Sequence, residues 1–385
     1  MKFKTMRRIV CIVLCLLISV SLAACGGNSH DGTSTQQPNA TFPGSQGTNP
    51  DEIVGSTDKT LLFDSNGNFK VLILSDLRMP AKINNLLVDN IQKVLDATNP
   101  SLVILGGDVH DGSVTNEQEL RAVLDAITKP IEDRKVPWCH AFGVDTEGVA
   151  DKKTGYSRAD QMNVYTSYAY CVSRADQAKT AYGVSNYVLP ILIPDQDQDM
   201  TNNKVGFNVW CLDANGYLND YIEGLESKVV LKRKQNSGTN LDCLHYSQLL
   251  WYWNTSVAFQ NRNDNKVVPG MMYVQVPPYQ FMLIKRNQDI TGMLGEKSTV
   301  ATKVDSSERE SGVVWACYER GDIRGLFSGY NEENDYSGTY LDIMMGFCST
   351  VGKSGFEGTR GARVVTISQN GAKMETSMVY LKNLE

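Results

Sequence analysis

Three apolar runs end on an aspartate: "VLILSD" closes on Asp76, "SLVILGGD" on Asp108 and "WCHAFGVD" on Asp145. Carboxylates gathered at one point hold divalent metals or trade protons with a substrate. A fourth segment, "LFSGYNEENDY" (326–336), runs from an apolar stretch into a polar loop that carries Tyr330 and Glu332. Histidine, the usual companion of carboxylates in a hydrolytic metal site, is scarce. The 385-residue chain has four: His30, His110, His140 and His245. An imidazole-rich centre cannot be assembled from these, although His110 stands two residues past Asp108. A second acidic run, Asp195, Asp197 and Asp199, opens like a calcium loop, but Met200 replaces the required glycine and Gly206 the closing glutamate. That run reads as a solvated hairpin turn.

Elements must bring the three aspartates together. "TLLFDSNGNFKVLILSD" has two apolar runs around Asn66-Gly67-Asn68, which predicts a hairpin whose second arm is a buried strand. Ile83, Leu86, Leu87, Ile91, Val94 and Leu95 then recur at helical spacing up to Asn99-Pro100, and "SLVILGGD" follows as a second buried strand. This is a strand, helix, strand unit with a parallel crossover. A second helix opens at Thr115, with Gln118 completing a capping box, and Pro130 kinks or ends it. "KVPWCHAFGVD" is the third strand. Successive parallel strands converge on one crevice at their carboxyl ends, so Asp76, Asp108 and Asp145 are expected to face one another.

Further along, 157–177 reads as a Tyr-rich helix, "SNYVLPILIP" and "VGFNVWCLD" as antiparallel strands, and "LHYSQLLWYWNTSVAF" as a helix. "GMMYVQVP", "GVVWACY", "DIRGLFSGY", "YLDIMMGFC", "ARVVTIS" and "ETSMVYL" read as short strands. The expected fold class is α/β, with two stacked sheets flanked by helices.

The ends and the composition bound the setting. Lys2, Lys4, Arg7 and Arg8 precede an apolar run from Ile9 to Ala24 that is too short to span a membrane. It ends in Leu22-Ala23-Ala24-Cys25, which resembles the lipobox of bacterial lipoproteins and makes Cys25 the expected lipid anchor. Residues 1–24 are then a signal peptide. Residues 25–58, rich in Gly, Ser, Thr, Asn, Gln and Pro, form a tether, and 59–385 form the folded domain. The localisation implied is export and lipid anchoring to the outer face of a bacterial cell membrane. Setting the signal aside leaves 33 basic against 43 acidic side chains, which disfavours a nucleic-acid partner. Cys139, Cys211, Cys317 and Cys348 sit in or beside apolar stretches and read as buried thiols.

The order of these motifs resembles the calcineurin-like metallophosphoesterase superfamily, in its branch related to purple acid phosphatases. "VLILSDLR" stands for a strand followed by Asp-x-His, "PSLVILGGDVHDG" for Gly-Asp, and "WCHAFGVDTEG" for Gly-Asn-His-Asp/Glu. "MMYVQVP" stands for a strand ending in a ligand histidine, and "LFSGYNEENDY" for Gly-His-x-His. The resemblance implies a four-layer α/β/β/α sandwich with two mixed sheets. It also implies a pair of divalent metals that bind phosphate and generate hydroxide. Carried over position by position, Asp76 and Asp108 keep their carboxylates. Arg78 replaces a histidine, Val144 the asparagine, Asp145 the proton-donor histidine, Gln275 the middle histidine, and Tyr330 and Glu332 the last two.

Two readings follow. In the first, Arg78 satisfies Asp76 and Asp108 by bidentate hydrogen bonds, supplies the charge a metal once supplied, and leaves no cofactor. The protein is then a catalytically impaired pseudo-phosphoesterase that binds a phosphorylated, glycan or cell-surface protein ligand. In the alternative, Asp76, Asp108 and Glu332 form a weak all-oxygen site for Mg, Mn or Ca, with Asp145 as proton donor, and the chain is an active phosphoric ester hydrolase. A dinuclear Fe, Zn or Mn centre is not expected in either. Tyr217, Trp251, Trp253, Tyr279, Tyr330 and Tyr336 offer aromatic surface, with Trp251 and Tyr279 assigned to the core.

Overall fold

The computed structural model describes residues 47–54, 59–145, 147, 154–175, 177–194, 204–217, 241–286, 304–307, 309–352, 360–371 and 373–384. The signal segment, Cys25, the first part of the tether and the acidic run Asp195–Asp199 lie outside them.

Two mixed sheets stack face to face. The smaller contains β2 (Asn68–Leu74), β3 (Leu102–Leu105), β4 (Trp138–His140), β11 (Gly361–Ser368) and β12 (Met374–Tyr380), in the order β12-β11-β2-β3-β4. The larger contains β1 (Leu61–Leu62), β5 (Tyr187–Leu192), β6 (Val205–Leu212), β7 (Gly270–Val274), β8 (Ile323–Ser328), β9 (Ser337–Tyr340) and β10 (Ile343–Phe347), in the order β1-β5-β6-β7-β8-β10-β9. Strands β2, β3 and β4 are mutually parallel, as are β6, β7 and β8, so their carboxyl ends line up.

Side-chain alternation sorts the core into layers. Tyr187, Leu189, Phe207, Val209, Cys211, Met271, Tyr273 and Phe327 of the larger sheet pack against the smaller one. Their neighbours Val188, Trp210, Leu212, Met272, Val274 and Leu326 face the other way. There they meet helices over Tyr246–Arg262 (α5), Gln280–Arg286 (α6) and Val313–Arg320 (α7). Helices over Asn85–Thr98 (α2) and Glu117–Glu132 (α3) cover the smaller sheet through Leu87, Ile91, Leu120, Leu124 and Ile127. The result is the expected α/β/β/α sandwich.

Several local expectations need correction. Asn66-Gly67-Asn68 does form a turn, with Asp64 Oδ1 accepting from the Asn66 and Asn68 amides at 2.8 Å, but its arms enter different sheets. β1 pairs with β5 and β2 with β3, so the turn is a corner between layers rather than a hairpin. "GVVWACY" is helical. Val313, Val314, Cys317 and Arg320 fall on its buried face, and the left-handed glycines Gly312 and Gly321 bound it. The cap of α3 is Asn116, whose side chain accepts from the Glu119 amide, not Thr115; Pro130 lies in its last turn. The helix expected over 157–177 is α4 (Arg158–Thr166), capped by Ser157 with Asp160 and ended at Ser167.

The folded part also begins earlier than Lys59. Residues 50–54 form helix α1 (Pro50–Val54), started by Pro50 with Asp51 and Glu52 in its first turn, and Ile53 and Val54 are buried. Thr48 anchors it by accepting from the Trp251 indole at 2.9 Å and donating to the Gln177 carbonyl at 2.6 Å. Trp251 is buried as expected, but Tyr279 is 43% exposed and does not belong to the core. The thiols of Cys139, Cys211, Cys317 and Cys348 are buried.

Candidate functional site

The tips of β2, β3, β4, β7 and β8 meet at one end of the sandwich. Asp76 and Asp108 end β2 and β3, and both are fully buried. The tips are laced by backbone: the Asp76 amide donates to the Gly107 carbonyl at 3.0 Å and the Arg78 amide to the Asp108 carbonyl at 2.9 Å. Asp76, Arg78, Asp108 and Tyr330 all hold left-handed φ values, between 47° and 63°. Such values are uncommon outside glycine and point to a site over-determined by its surroundings. Gly143 is needed for the approach itself, because a Cβ there would stand 2.6 Å from Asp108 Oδ1.

Gln275, just past β7, lies between the two aspartates. Its Nε2 donates to Asp76 Oδ1 and to Asp108 Oδ2, both at 2.7 Å. The amide cannot be turned over, since its Oε1 accepts from the Val144 amide at 2.9 Å. The remaining oxygen of Asp76 accepts from the Tyr330 amide at 2.9 Å and from Ser75. The remaining oxygen of Asp108 accepts from the Asp145 amide at 3.0 Å.

Arg78 fills the next position outward. Its Nη2 reaches Asp145 Oδ2 at 2.9 Å and Asp108 Oδ2 at 3.5 Å, and its Nε donates to Glu332. This corrects one expectation: Arg78 does not bridge Asp76 and Asp108, because Gln275 takes that role and the guanidinium turns to Asp108, Asp145 and Glu332. Glu332 does point inward. Asp145 receives Tyr217 on its other oxygen. Thus the structure brings Asp76, Arg78, Asp108, Val144, Asp145, Gln275, Tyr330 and Glu332 into one constellation.

The charge pattern follows from these contacts. Burial, then the carboxylates of Asp108 and Glu332, pushes the Asp76 carboxyl well up. Burial opposes the charge on Arg78, but Asp108, Glu332 and Asp145 outweigh it and hold the guanidinium cationic. Burial and the neighbouring Asp145 push up both tyrosine hydroxyls, Tyr217 and Tyr330, so both stay protonated.

A buried second tier supports the first. Glu147 Oε1 pairs with His140 Nε2 at 2.8 Å, while its Oε2 accepts from the Gly143 amide and from the Asp108 amide at 3.3 Å. The His140 ring stacks on Tyr165 at 3.9 Å between centroids. His110 is fully buried against Gln161 at 3.4 Å and is a core histidine rather than a ligand. Glu147 follows Asp145 by two residues, and neither its type nor its spacing marks it as the partner of a histidine on β4. Gln275 and Tyr217 were visible as residues but not as donors.

A pair of divalent metals does not fit this constellation. Where the metals would sit, a fixed amide N–H pair and a guanidinium point at the carboxylates, and neither has a lone pair to offer. Val144 contributes an isopropyl group. Among the described residues, no three His, Cys, Asp or Glu side chains have metal-holding geometry. Asp145 has one oxygen paired with Arg78 and the other accepting from the Tyr217 hydroxyl.

No family model matches the chain. It is similar to "Probable inactive purple acid phosphatase 29" of Arabidopsis thaliana, 24% identical over 343 residues, covering 81% of this chain and 80% of that protein. It is also similar to "Probable inactive purple acid phosphatase 14" of the same plant, 22% identical over 346 residues, covering 83% and 79%. A crystal structure of a dimetal phosphatase from Danio rerio superposes with a TM-score of 0.50 at 12% identity, covering 80% of this chain and 98% of that one. The relatives of this chain are purple acid phosphatase-like proteins of the calcineurin-like metallophosphoesterase superfamily, and its fold is that of a dimetal phosphatase.

Proposed function

We propose that this chain is a non-hydrolytic purple acid phosphatase-like protein, exported and held to the outer face of a bacterial membrane through a lipid on Cys25, whose crevice binds rather than turns over. One observation carries the reading. The Gln275 amide donates to Asp76 and Asp108 at once, at 2.7 Å each, in the place where a bridging carboxylate would meet metal. The names of the plant relatives, which call them probable inactive, agree with it. Hydrolysis of a phosphate ester needs an activated water in line with the leaving group, and among the described residues Gln275 and Arg78 stand where the water-activating ions of this fold would be held. Arg78 offsets one charge among Asp108, Asp145 and Glu332, so the crevice carries surplus negative charge and disfavours a phosphorylated ligand. A glycan or a cell-surface protein is the better match.

Metal analysis of the purified protein, beside an aryl phosphate assay with added manganese, magnesium or calcium, tests the reading. No stoichiometric metal and no turnover above that of the Asp108→Ala variant are expected. Turnover that disappears in Asp108→Ala would refute it. The anchor is tested separately: tritiated palmitate should label the wild-type chain and not Cys25→Ser.

A further inference from the structure

Outside the site, one pair of reactive side chains faces across the core. Cys139 lies on β4 of the smaller sheet, paired in register with Ile104, and Cys211 lies on β6 of the larger sheet, between Tyr187 and Tyr273. The neighbours of Cys139 occupy the opposite, also buried, face of β4: Trp138 and His140 pack their rings on Tyr165. The neighbours of Cys211, Trp210 and Leu212, turn toward the helices. Alternation therefore aims both thiols into the gap between sheets, where the sulfurs are 3.9 Å apart and fully buried. The sheets are already pinned at this level, because the Tyr187 hydroxyl of β5 donates to the His140 carbonyl of β4 at 2.6 Å.

We propose that Cys139 and Cys211 form a disulfide that ties the two sheets together, made during folding by exchange with a low-molecular-weight disulfide or a thiol–disulfide oxidoreductase. A disulfide needs its sulfurs at about 2.05 Å, so the pair must close by about 1.9 Å, shared between two side chains. The thiolate of one cysteine attacks the oxidant's disulfide, forming a mixed disulfide and expelling one thiol. The thiolate of the second then attacks the protein sulfur of that mixed disulfide and expels the other thiol. Both protein sulfurs are oxidised, both oxidant sulfurs are reduced, and the two protein thiol protons end on the released thiols. Burial pushes the Cys139 thiol well up and keeps reagents out, so the finished fold resists oxidation and the bond must form before the sheets close. An exported chain folds where such oxidants are present, but the chemistry can be tested without relying on that reading.

The full chain is unfolded in guanidinium and refolded with glutathione disulfide or with dithiothreitol. Free thiols are then alkylated under denaturing conditions and the peptides are mapped by mass spectrometry. Oxidative refolding should yield a Cys139-to-Cys211 linked peptide two hydrogens lighter than the sum of its parts. The bond would close a loop between positions 72 residues apart and raise the midpoint of thermal unfolding by roughly 5–10 °C. Cys139→Ala and Cys211→Ala should each abolish the linked peptide and the shift. Recovery of both cysteines as alkylated thiols after oxidative refolding of the wild-type chain, or linkage of either to Cys171, would overturn the proposal even if the variants fail to fold.

Discussion

Replacing Gln275 by methionine tests the central contact, because methionine matches its length and removes both the amide donors and the acceptor. Asp76 and Asp108 would each lose a hydrogen bond of 2.7 Å, and the Val144 amide would lose its partner at 2.9 Å. Both carboxylates are fully buried, so water does not restore the loss. A hydrogen bond to a charged group contributes about 1.5–3 kcal/mol, and an orphaned buried amide costs about 1–3 kcal/mol. The expected loss is therefore about 4–9 kcal/mol, a large share of the stability of an ordinary domain. Urea unfolding followed through the fluorescence of the buried Trp138, Trp210 and Trp251 would measure it. The pH dependence gives the signature. The Asp76 carboxyl is raised in the folded state, by burial first and then by Asp108 and Glu332, so folding takes up a proton and stability falls as pH rises toward that raised value. Removing the Gln275 donor raises it further, and the deficit of Gln275→Met should be larger at pH 8 than at pH 5. A deficit under about 1 kcal/mol, or one independent of pH, would show that Gln275 fills space and does not hold the carboxylates.

Two further outcomes follow from the surrounding tiers. Glu147 is held down at about 2 against its ordinary 4.5: burial opposes this, but His140, His110 and the Gly143 amide prevail. A depressed carboxyl contributes stability above pH 4.5 that is lost as pH falls toward 2, about 3 kcal/mol in all. Acid titration of Glu147→Gln should therefore be flatter than wild type across that window. A chain starting at Lys59 should unfold at lower urea than one starting at Gly47, because it loses the burial of Ile53 and Val54 and the three hydrogen bonds of Thr48, about 2–4 kcal/mol together.

Much of this arrangement is legible from residue order, and the limits have physical causes. Apolar runs ending at Asp76, Asp108 and Asp145 announce parallel strands with convergent tips, and the structure gathers all three. The cationic part played by Arg78 also follows from residue type, whereas the inward turn of Glu332 does not, because a loop glutamate can face either way until the Arg78 guanidinium is in place. The division of labour between Arg78 and Gln275 does not. A glutamine in a ligand position presents either its oxygen or its nitrogen, and here the choice is fixed by the Val144 amide, 131 residues away in sequence. The corner at Asn66-Gly67 departs from a hairpin for a related reason. A turn reports its own geometry, whereas the sheet each arm joins depends on distant strands, β5 for one and β3 for the other. Helix α7 was misread because β-branched Val313 and Val314 favour a strand locally, while packing on α5 and β8 rewards a helical face.

The strand tips hold an expensive backbone conformation. Left-handed φ at Arg78 and Tyr330 costs of order 1–3 kcal/mol each, since neither has the short side chain that eases Asp or Asn into that region. The cost is met by contacts that do not involve metal. The Tyr330 amide binds Asp76, the Arg78 amide binds the Asp108 carbonyl, and the Asp145 amide binds Asp108 Oδ1. The carboxylates here organise backbone N–H groups, an amide and a guanidinium, so each of these contacts leans on the others. Arg78→His removes the cation but leaves Gln275 across both aspartates, Val144 without a lone pair, and Tyr330 and Glu332 in place of nitrogen donors. Single reversion should therefore give no turnover of an aryl phosphate with manganese. Activity in Arg78→His alone would mean that the guanidinium is the whole obstacle, and that Gln275 yields to metal despite its three hydrogen bonds.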